Sequence, residues 1–125
     1  MKSLRLLFLL FSFIGFASAD ESVYGLWQFE GNAVYIEILE NGNTFQCRIA
    51  PNSVVITAQG KLLNGTSIKW APLIMKDSSG KDITPEGFSW GTDILSFQGT
   101  TLNVSGPYGE FAYKKCCSTL PAECR

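Results

Sequence analysis

Residues 33–49 constrain the fold of this chain more than any other stretch. Apolar side chains recur at every second position on both sides of an Asn41-Gly42 turn, and they are Val34, Ile36, Ile38, Phe45, Cys47 and Ile49. Period-two alternation around an Asn-Gly turn indicates an antiparallel β-hairpin with one buried face. We therefore predict that these side chains share the inner face of a sheet.

The rest of the chain repeats this rhythm in short alternating segments. Turn signals rich in Gly, Pro and Asn recur roughly every ten residues, and no segment shows helical spacing over a useful length. Beyond the hairpin, strands are predicted at 23–29, 53–59, 66–70, 88–90, 94–98, 101–105 and 110–115. The pattern predicts an all-β fold, a single small antiparallel β-barrel of about eight strands in meander order. A β-sandwich is the alternative.

The N-terminus has the features of a secretory signal peptide. Two basic residues precede Leu6–Phe16, a run of roughly 11 mostly apolar residues, and a small-residue cleavage site follows at Ala17-Ser18-Ala19. Spanning a bilayer takes about 20 apolar residues, so a membrane anchor is disfavoured. Cleavage after Ala19 makes residues 1–19 the signal peptide and residues 20–125 a single domain. The expected location is secreted or periplasmic.

All four cysteines lie in the expected mature chain, which predicts two disulfides in an oxidising compartment. A bond between the neighbours Cys116 and Cys117 is disfavoured as strained. Cys47–Cys117 with Cys116–Cys124 is preferred, because Cys117 shares its strand parity with the inward-facing Tyr113. Cys47–Cys116 with Cys117–Cys124 stays open. Either pairing ties the hairpin to the disulfide-stapled C-terminal tail, and no metal site is predicted because the paired C-x-x-C spacing is lacking.

The residue inventory argues against catalysis. The chain has no histidine, which removes Ser-His and Cys-His nucleophilic systems, and its cysteines are expected to be oxidised. The remaining carboxylates read as surface acids, so we predict no catalytic residues, no cofactor and no enzymatic activity. Basic residues are scattered rather than clustered, which disfavours nucleic acid as a partner. No second apolar stretch is long enough for membrane insertion.

Aromatic residues are the candidates for binding. The expected interior is almost purely apolar, and such a lining either fills a small barrel or leaves a cavity for one small apolar ligand. If a cavity exists, Trp27, Trp70 and Trp90 are the predicted ligand-binding residues. Tyr108, at the tip of a Gly-Pro-Tyr-Gly turn, is the predicted protein-contact residue.

The tripeptide Gly25-Leu26-Trp27 on the first strand resembles the Gly-x-Trp opening of lipocalins and related calycin barrels, which include small bacterial secreted metalloprotease inhibitors. The resemblance implies that Trp27 closes one end of the barrel with Lys114 or Lys115 of the last strand near it. The predicted function is a secreted non-enzymatic binding module that holds a small apolar ligand in the barrel. The alternative is a protein-binding or enzyme-inhibiting module with a filled core that acts through its loops.

Overall fold

The computed structural model describes residues 22–125, and the predicted signal peptide lies outside them. The strands are β1 Gly25–Phe29, β2 Val34–Ile38, β3 Asn43–Ile49, β4 Val55–Leu63, β5 Ser67–Trp70, β6 Ile74–Lys76, β7 Thr92–Gln98, β8 Thr101–Gly106 and β9 Gly109–Lys115. A short 3₁₀ helix, Ala122–Cys124, follows β9. Within residues 22–125, no helix combines the length and the apolar character that a bilayer crossing requires.

Eight of the strands close into an antiparallel barrel. Their order is β3-β2-β1-β9-β8-β7-β5-β4, and pairing of β3 with β4 completes the circle. The ninth strand, β6, pairs with the first residues of β4 outside this circle. The predicted all-β meander barrel is confirmed, with one extra strand.

The two ends of the barrel are built differently. One end, which we name the mouth, carries the turns at 30–33, 50–54 and 107–108 together with the long connection from β6 to β7. The opposite end, which we name the Trp27 end, carries the turns at 39–42, 64–66 and 99–100. Because the strands are antiparallel, every hairpin turn belongs to one of these two ends.

The barrel interior is mostly apolar, as alternation along the strands predicts. Its buried members are Trp27, Val34, Ile36, Ile38, Ala58, Ile68, Trp70, Leu73, Leu95, Leu102, Val104 and Tyr113. Gly60 on β4 makes room for Trp70, the largest of the buried side chains on β5. A Cβ on Gly60 would lie 2.7 Å from Trp70 Cε3 and 2.7 Å from Thr44 Oγ1, closer than atoms approach without displacement. Gly60 therefore lets the Trp70 ring lie flat against β4.

The prediction that Phe45, Cys47 and Ile49 face the interior is wrong. The β2–β3 register pairs Ile36 with Gln46, and directly opposed residues share a face of the sheet. Leu39 N donates to Asn43 O at 2.9 Å, so the loop is residues 40–42, one residue longer than a two-residue Asn-Gly turn. Gly42 has positive φ, and its N–H donates to Leu39 O at 2.9 Å. A one-residue change of register moves every side chain of the strand to the other face.

The outward-facing residues of β3 are covered by the C-terminal tail. Cys47 is fully buried there in a second apolar cluster with Leu26, Leu120 and Cys124. Both predicted disulfide pairings are corrected: Cys47 bonds Cys124, and Cys116 bonds Cys117. The prediction rested on an inward-facing Cys47, whereas the actual side chain points to the tail that crosses the outer surface.

The predicted strand at 88–90 is also wrong. Residues 88–91 contribute two separate backbone hydrogen bonds, from Leu73 N to Phe88 O at 3.3 Å and from Trp70 N to Gly91 O at 2.9 Å. Two such bonds do not make a ladder. The apolar run beginning at Leu73 supplies the extra strand instead, because β4 is long enough to pair with β6 near one end and with β5 near the other.

Candidate functional site

A cavity of about 380 Å³, which we name the mouth cavity, lies at the mouth of the barrel. Its aromatic walls come from one strand, β9, and two connections, and they are Phe88, Trp90, Tyr108, Phe111 and Tyr113. Its aliphatic lining is Ile56, Leu73, Met75 and Val104. The predicted apolar interior is therefore not completely filled, and three polar side chains, Gln46, Arg48 and Asp93, join the lining.

The register of β3 brings two of these polar side chains into the barrel. Gln46 lies opposite Ile36 and is only 6% exposed, and Arg48 lies opposite Val34 at the exposed rim of the mouth. Among residues 22–125, no hydrogen bond involves the Gln46 side chain, although its amide offers two donors and an acceptor. Buried polar groups in folded proteins almost always have partners, so an amide that makes no hydrogen bond, on a largely buried side chain lining a cavity, is a candidate ligand contact.

Tyr113 on β9 places a hydroxyl group among the same side chains. Its ring is 4% exposed, and within residues 22–125 its hydroxyl group makes no hydrogen bond. Burial raises the pKa of Tyr113, the charge of Arg48 lowers it and the charge of Asp93 raises it further. The phenol therefore stays protonated and lies within electrostatic range of both charged side chains of the mouth cavity.

Asp93 near the start of β7 is held in place by two neighbours. Trp70 Nε1 donates a hydrogen bond to Asp93 Oδ2 at 2.8 Å. The other oxygen, Oδ1, occupies the position that a Cβ would take on Gly106 of β8. Burial raises the pKa of the Asp93 carboxyl group, and the Trp70 hydrogen bond lowers it in part. A desolvated carboxylate in a cleft is typical of a functional site.

The three predicted ligand-binding tryptophans are in different surroundings. Trp90 forms part of the cavity wall, and Trp70 packs edge-to-face against it with ring centroids 6.3 Å apart. Trp27 lies toward the other end of the barrel, 1% exposed, with Lys115 Nζ 5.1 Å from its ring centroid. Gly25, at φ +131°, makes room for this lysine, since a Cβ there would lie 3.0 Å from Lys115 Nζ. The expected contact between Trp27 and a lysine of the last strand is confirmed for Lys115.

Tyr108, the predicted protein-contact residue, lies at the rim of the mouth cavity. Its side chain is 57% exposed and packs against Phe88 of the β6–β7 connection, with ring centroids 6.0 Å apart. The turn between β8 and β9 thus brings one side of the ring to the cavity and leaves the other side to solvent.

The sequence does not predict Gln46 and Arg48 as lining residues, because the predicted register of β3 against β2 differs from the actual register by one residue. The turn sequence holds no signal that could have found them, because a glycine at position 42 fits the last position both of a two-residue Asn-Gly turn and of a three-residue loop with a bulge. With the three-residue loop, Gln46 and Arg48 share the face of Val34 and Ile36.

Two wider depressions lie on the outer surface, with volumes of about 650 and 690 Å³. The first is lined largely by outward-facing side chains of β3 and β4, such as Phe45 and Lys61, and the second lies beside the 3₁₀ helix. Both are more open to solvent than the mouth cavity. Neither is lined by the unpaired buried amide and phenol that mark the mouth cavity. Among residues 22–125, no three Cys, Asp or Glu side chains are grouped to hold a metal ion.

The fold and the site together define an eight-stranded antiparallel barrel with a partly polar cavity at its mouth. No protein-family model matches the chain, and no curated protein matches it. Among solved structures, it is similar to the crystal structure of the lipoprotein YedD from Klebsiella pneumoniae subsp. pneumoniae MGH 78578. That likeness has a TM-score of 0.49 and 18% sequence identity, and it covers 86% of this chain and 80% of that chain.

Proposed function

We propose that this protein is a non-enzymatic binding barrel that holds a small, largely apolar ligand in the mouth cavity. The observation that carries the proposal is the combination of aromatic walls with two largely buried side chains, Gln46 and Tyr113, whose polar groups make no hydrogen bond among residues 22–125. Ligand sites in proteins are typically concave, mostly apolar and equipped with a few convergent polar groups. A filled core would leave no reason for Gln46 and Tyr113 to lie buried with unused polar atoms.

The size of the cavity limits the ligand. Sites for small molecules commonly measure about 300–1,000 Å³, and the mouth cavity lies near the lower limit of that range. A ligand with up to three fused rings matches this volume and the aromatic walls.

We infer an extracytoplasmic, secreted or periplasmic location. Two disulfides link the described cysteines, and disulfides persist mainly in oxidising compartments. The apolar N-terminal leader supports the same location. The absence of histidine from the sequence supports a binding role over hydrolysis by a histidine-dependent mechanism.

A relationship to the calycin barrels belongs to the same proposal. Gly25 and Trp27 open the first strand, and Lys115 of the last strand lies over the Trp27 ring. These contacts support a barrel that is closed near Trp27 and open at the mouth, so that a ligand enters only from the side of Phe88 and Tyr108.

Binding of the neutral fluorophore 1-aminoanthracene tests the proposal. The wild-type protein should show a saturable fluorescence increase with one site per chain. Met75→Trp should fill the cavity and abolish the increase, because Met75 lines it. Ile74→Trp is the matched control, since the neighbouring residue on β6 is exposed on the other face and should bind normally. Equal binding by both variants, or no binding by the wild type, would contradict the proposal.

The exposed pair Tyr108 and Phe88 favours one alternative function, contact with a protein partner. Rigid exposed aromatic side chains are common at such contacts. Tyr108→Ala separates the two roles. If the ring serves the cavity, the variant should bind 1-aminoanthracene several-fold more weakly, whereas unchanged binding would show that the ring contributes nothing to the ligand site.

A further inference from the structure

We propose that the natural ligand of the mouth cavity is a dipolar aromatic molecule that carries one ammonium group and one carboxylate or similar acid group. The ammonium group would face Asp93 and the acid group would face Arg48. The inference rests on the proposed binding function and extends it from an apolar ligand to a stated chemical class.

The first support is the presence of two opposite charges in one cavity without an ion pair between them. Arg48 and Asp93 both line the mouth cavity, and among residues 22–125 neither lies within ion-pair distance of an opposite charge. Partial burial of a charge is costly unless a partner compensates it. Within the barrel, the Asp93 carboxylate accepts a single side-chain hydrogen bond, from Trp70 Nε1.

The second support comes from the neutral polar groups that line the cavity together with these charges. Gln46 and Tyr113 are each more than nine-tenths buried as whole residues, and within residues 22–125 neither the Gln46 amide nor the Tyr113 hydroxyl group makes a hydrogen bond. Together they offer donors to an acid group and acceptors to an ammonium group. A purely apolar ligand would desolvate both groups without replacing their hydrogen bonds, which lowers affinity.

The third support is the aromatic wall. The rings of Phe88, Trp90 and Phe111 can contact an aromatic ligand ring and can attract an ammonium group through their faces. A cation alone would leave Arg48 beside a bound positive charge, and an anion alone would leave Asp93 beside a bound negative charge. A dipolar ligand satisfies both side chains, which is why we favour it over a simple amine or a simple acid.

Four indole compounds of similar size test the inference. They are tryptophan with both charges, tryptamine with the cation alone, indole-3-propionate with the anion alone, and 3-methylindole with neither. Each is measured by displacement of 1-aminoanthracene from the full mature protein. Charge-assisted hydrogen bonds are strong enough to separate the compounds by about tenfold per satisfied charge. Tryptophan should bind most tightly and 3-methylindole most weakly.

Two charge-removing variants assign each charge to its partner. Asp93→Asn should lower the affinity for tryptophan and tryptamine about tenfold and leave indole-3-propionate no weaker. Arg48→Gln should lower the affinity for tryptophan and indole-3-propionate about tenfold and leave tryptamine no weaker. Asp77→Asn and Lys114→Gln are the controls, because these charges lie outside the cavity lining, and they should leave all four affinities unchanged.

The outcomes separate the inference from the function on which it rests. If 1-aminoanthracene binds but 3-methylindole displaces it as well as tryptophan does, the binding function stands and the inference is overturned. The same holds if none of the four indoles displaces the fluorophore, or if both charge variants leave tryptophan binding unchanged. If 1-aminoanthracene itself fails to bind, the proposed function falls and the inference falls with it.

Discussion

Thr44 carries a buried hydroxyl group that has no hydrogen-bond partner among residues 22–125. It lies opposite Gly60 inside the barrel, and its Oγ1 is shielded from solvent there. Thr44→Val replaces the hydroxyl group by a methyl group of similar shape. Removing an unsatisfied buried polar group should raise the free energy of unfolding by about 1 kcal/mol.

Urea denaturation of the variant tests this prediction. Thr57→Val on β4 is the control, because Thr57 points to the outer surface, and its free energy of unfolding should change by less than about 0.5 kcal/mol. A destabilised Thr44→Val would indicate that the hydroxyl group has a partner that the described residues do not provide.

Asp93 should make stability fall with rising pH in the acid range. Burial raises the pKa of its carboxyl group above the value of 3.8, so the folded state holds the proton to a higher pH than the unfolded state. By linkage, the stability that protonated Asp93 contributes is fully present below the pKa of Asp93 in the unfolded state. It is lost as pH rises through the pKa of Asp93 in the folded state. Asp93→Asn should remove that loss, so the variant gains stability over the wild type as pH rises from about 3 to 6.

Asp77 provides the opposite control for the same measurement. Hydrogen bonds from Ser79 and from the Lys81 backbone lower the pKa of Asp77, so its contribution is lost as pH falls. Urea midpoints measured between pH 3 and 6 should therefore diverge in opposite directions for Asp93→Asn and Asp77→Asn. Parallel curves for the wild type and Asp93→Asn would show that burial does not raise the pKa of Asp93.

At the scale of elements, the hairpin β2–β3 shows what alternation does and does not determine. Alternation correctly predicts both strands and the inward face of β2. It leaves the relative register open, because the apolar Phe45, Cys47 and Ile49 fit a buried face on either side of the sheet. The C-terminal tail provides a second apolar environment on the outside, and the loop with Gly42 decides between the two.

Disulfide mapping tests this register directly. Digestion of the unreduced protein with trypsin and a glutamate-specific protease should release peptide 41–48 joined to the dipeptide Cys124-Arg125. Peptide 116–123 should appear separately with Cys116 bonded to Cys117, two hydrogens lighter than its reduced form. Recovery of 41–48 joined to 116–123 would restore a predicted pairing and contradict the outward-facing Cys47.

At the scale of the whole molecule, the sequence is sufficient for the barrel but not for its cavity. Short alternating segments separated by turn residues predict a closed meander, because the apolar face of the sheet must be buried against another part of the sheet. The cavity depends on side chains contributed by β3, β7 and β9 and by the connection that follows β6. Asp93 has no sequence neighbour that identifies it, because Trp70 and Gly106 reach it only in the folded barrel.

The most direct test of a binding site at the mouth uses the indole N–H signals of the three tryptophans in ¹⁵N-correlated NMR spectra, assigned with Trp→Phe variants. Addition of 1-aminoanthracene should shift the signals of Trp90, on the cavity wall, and Trp70, which donates to Asp93. The Trp27 signal should stay in place. Its indole N–H donates to Val23 O at 2.9 Å, and Trp27 does not line the cavity. A shift of Trp27 without a shift of Trp90 would contradict a ligand site at the mouth of this barrel.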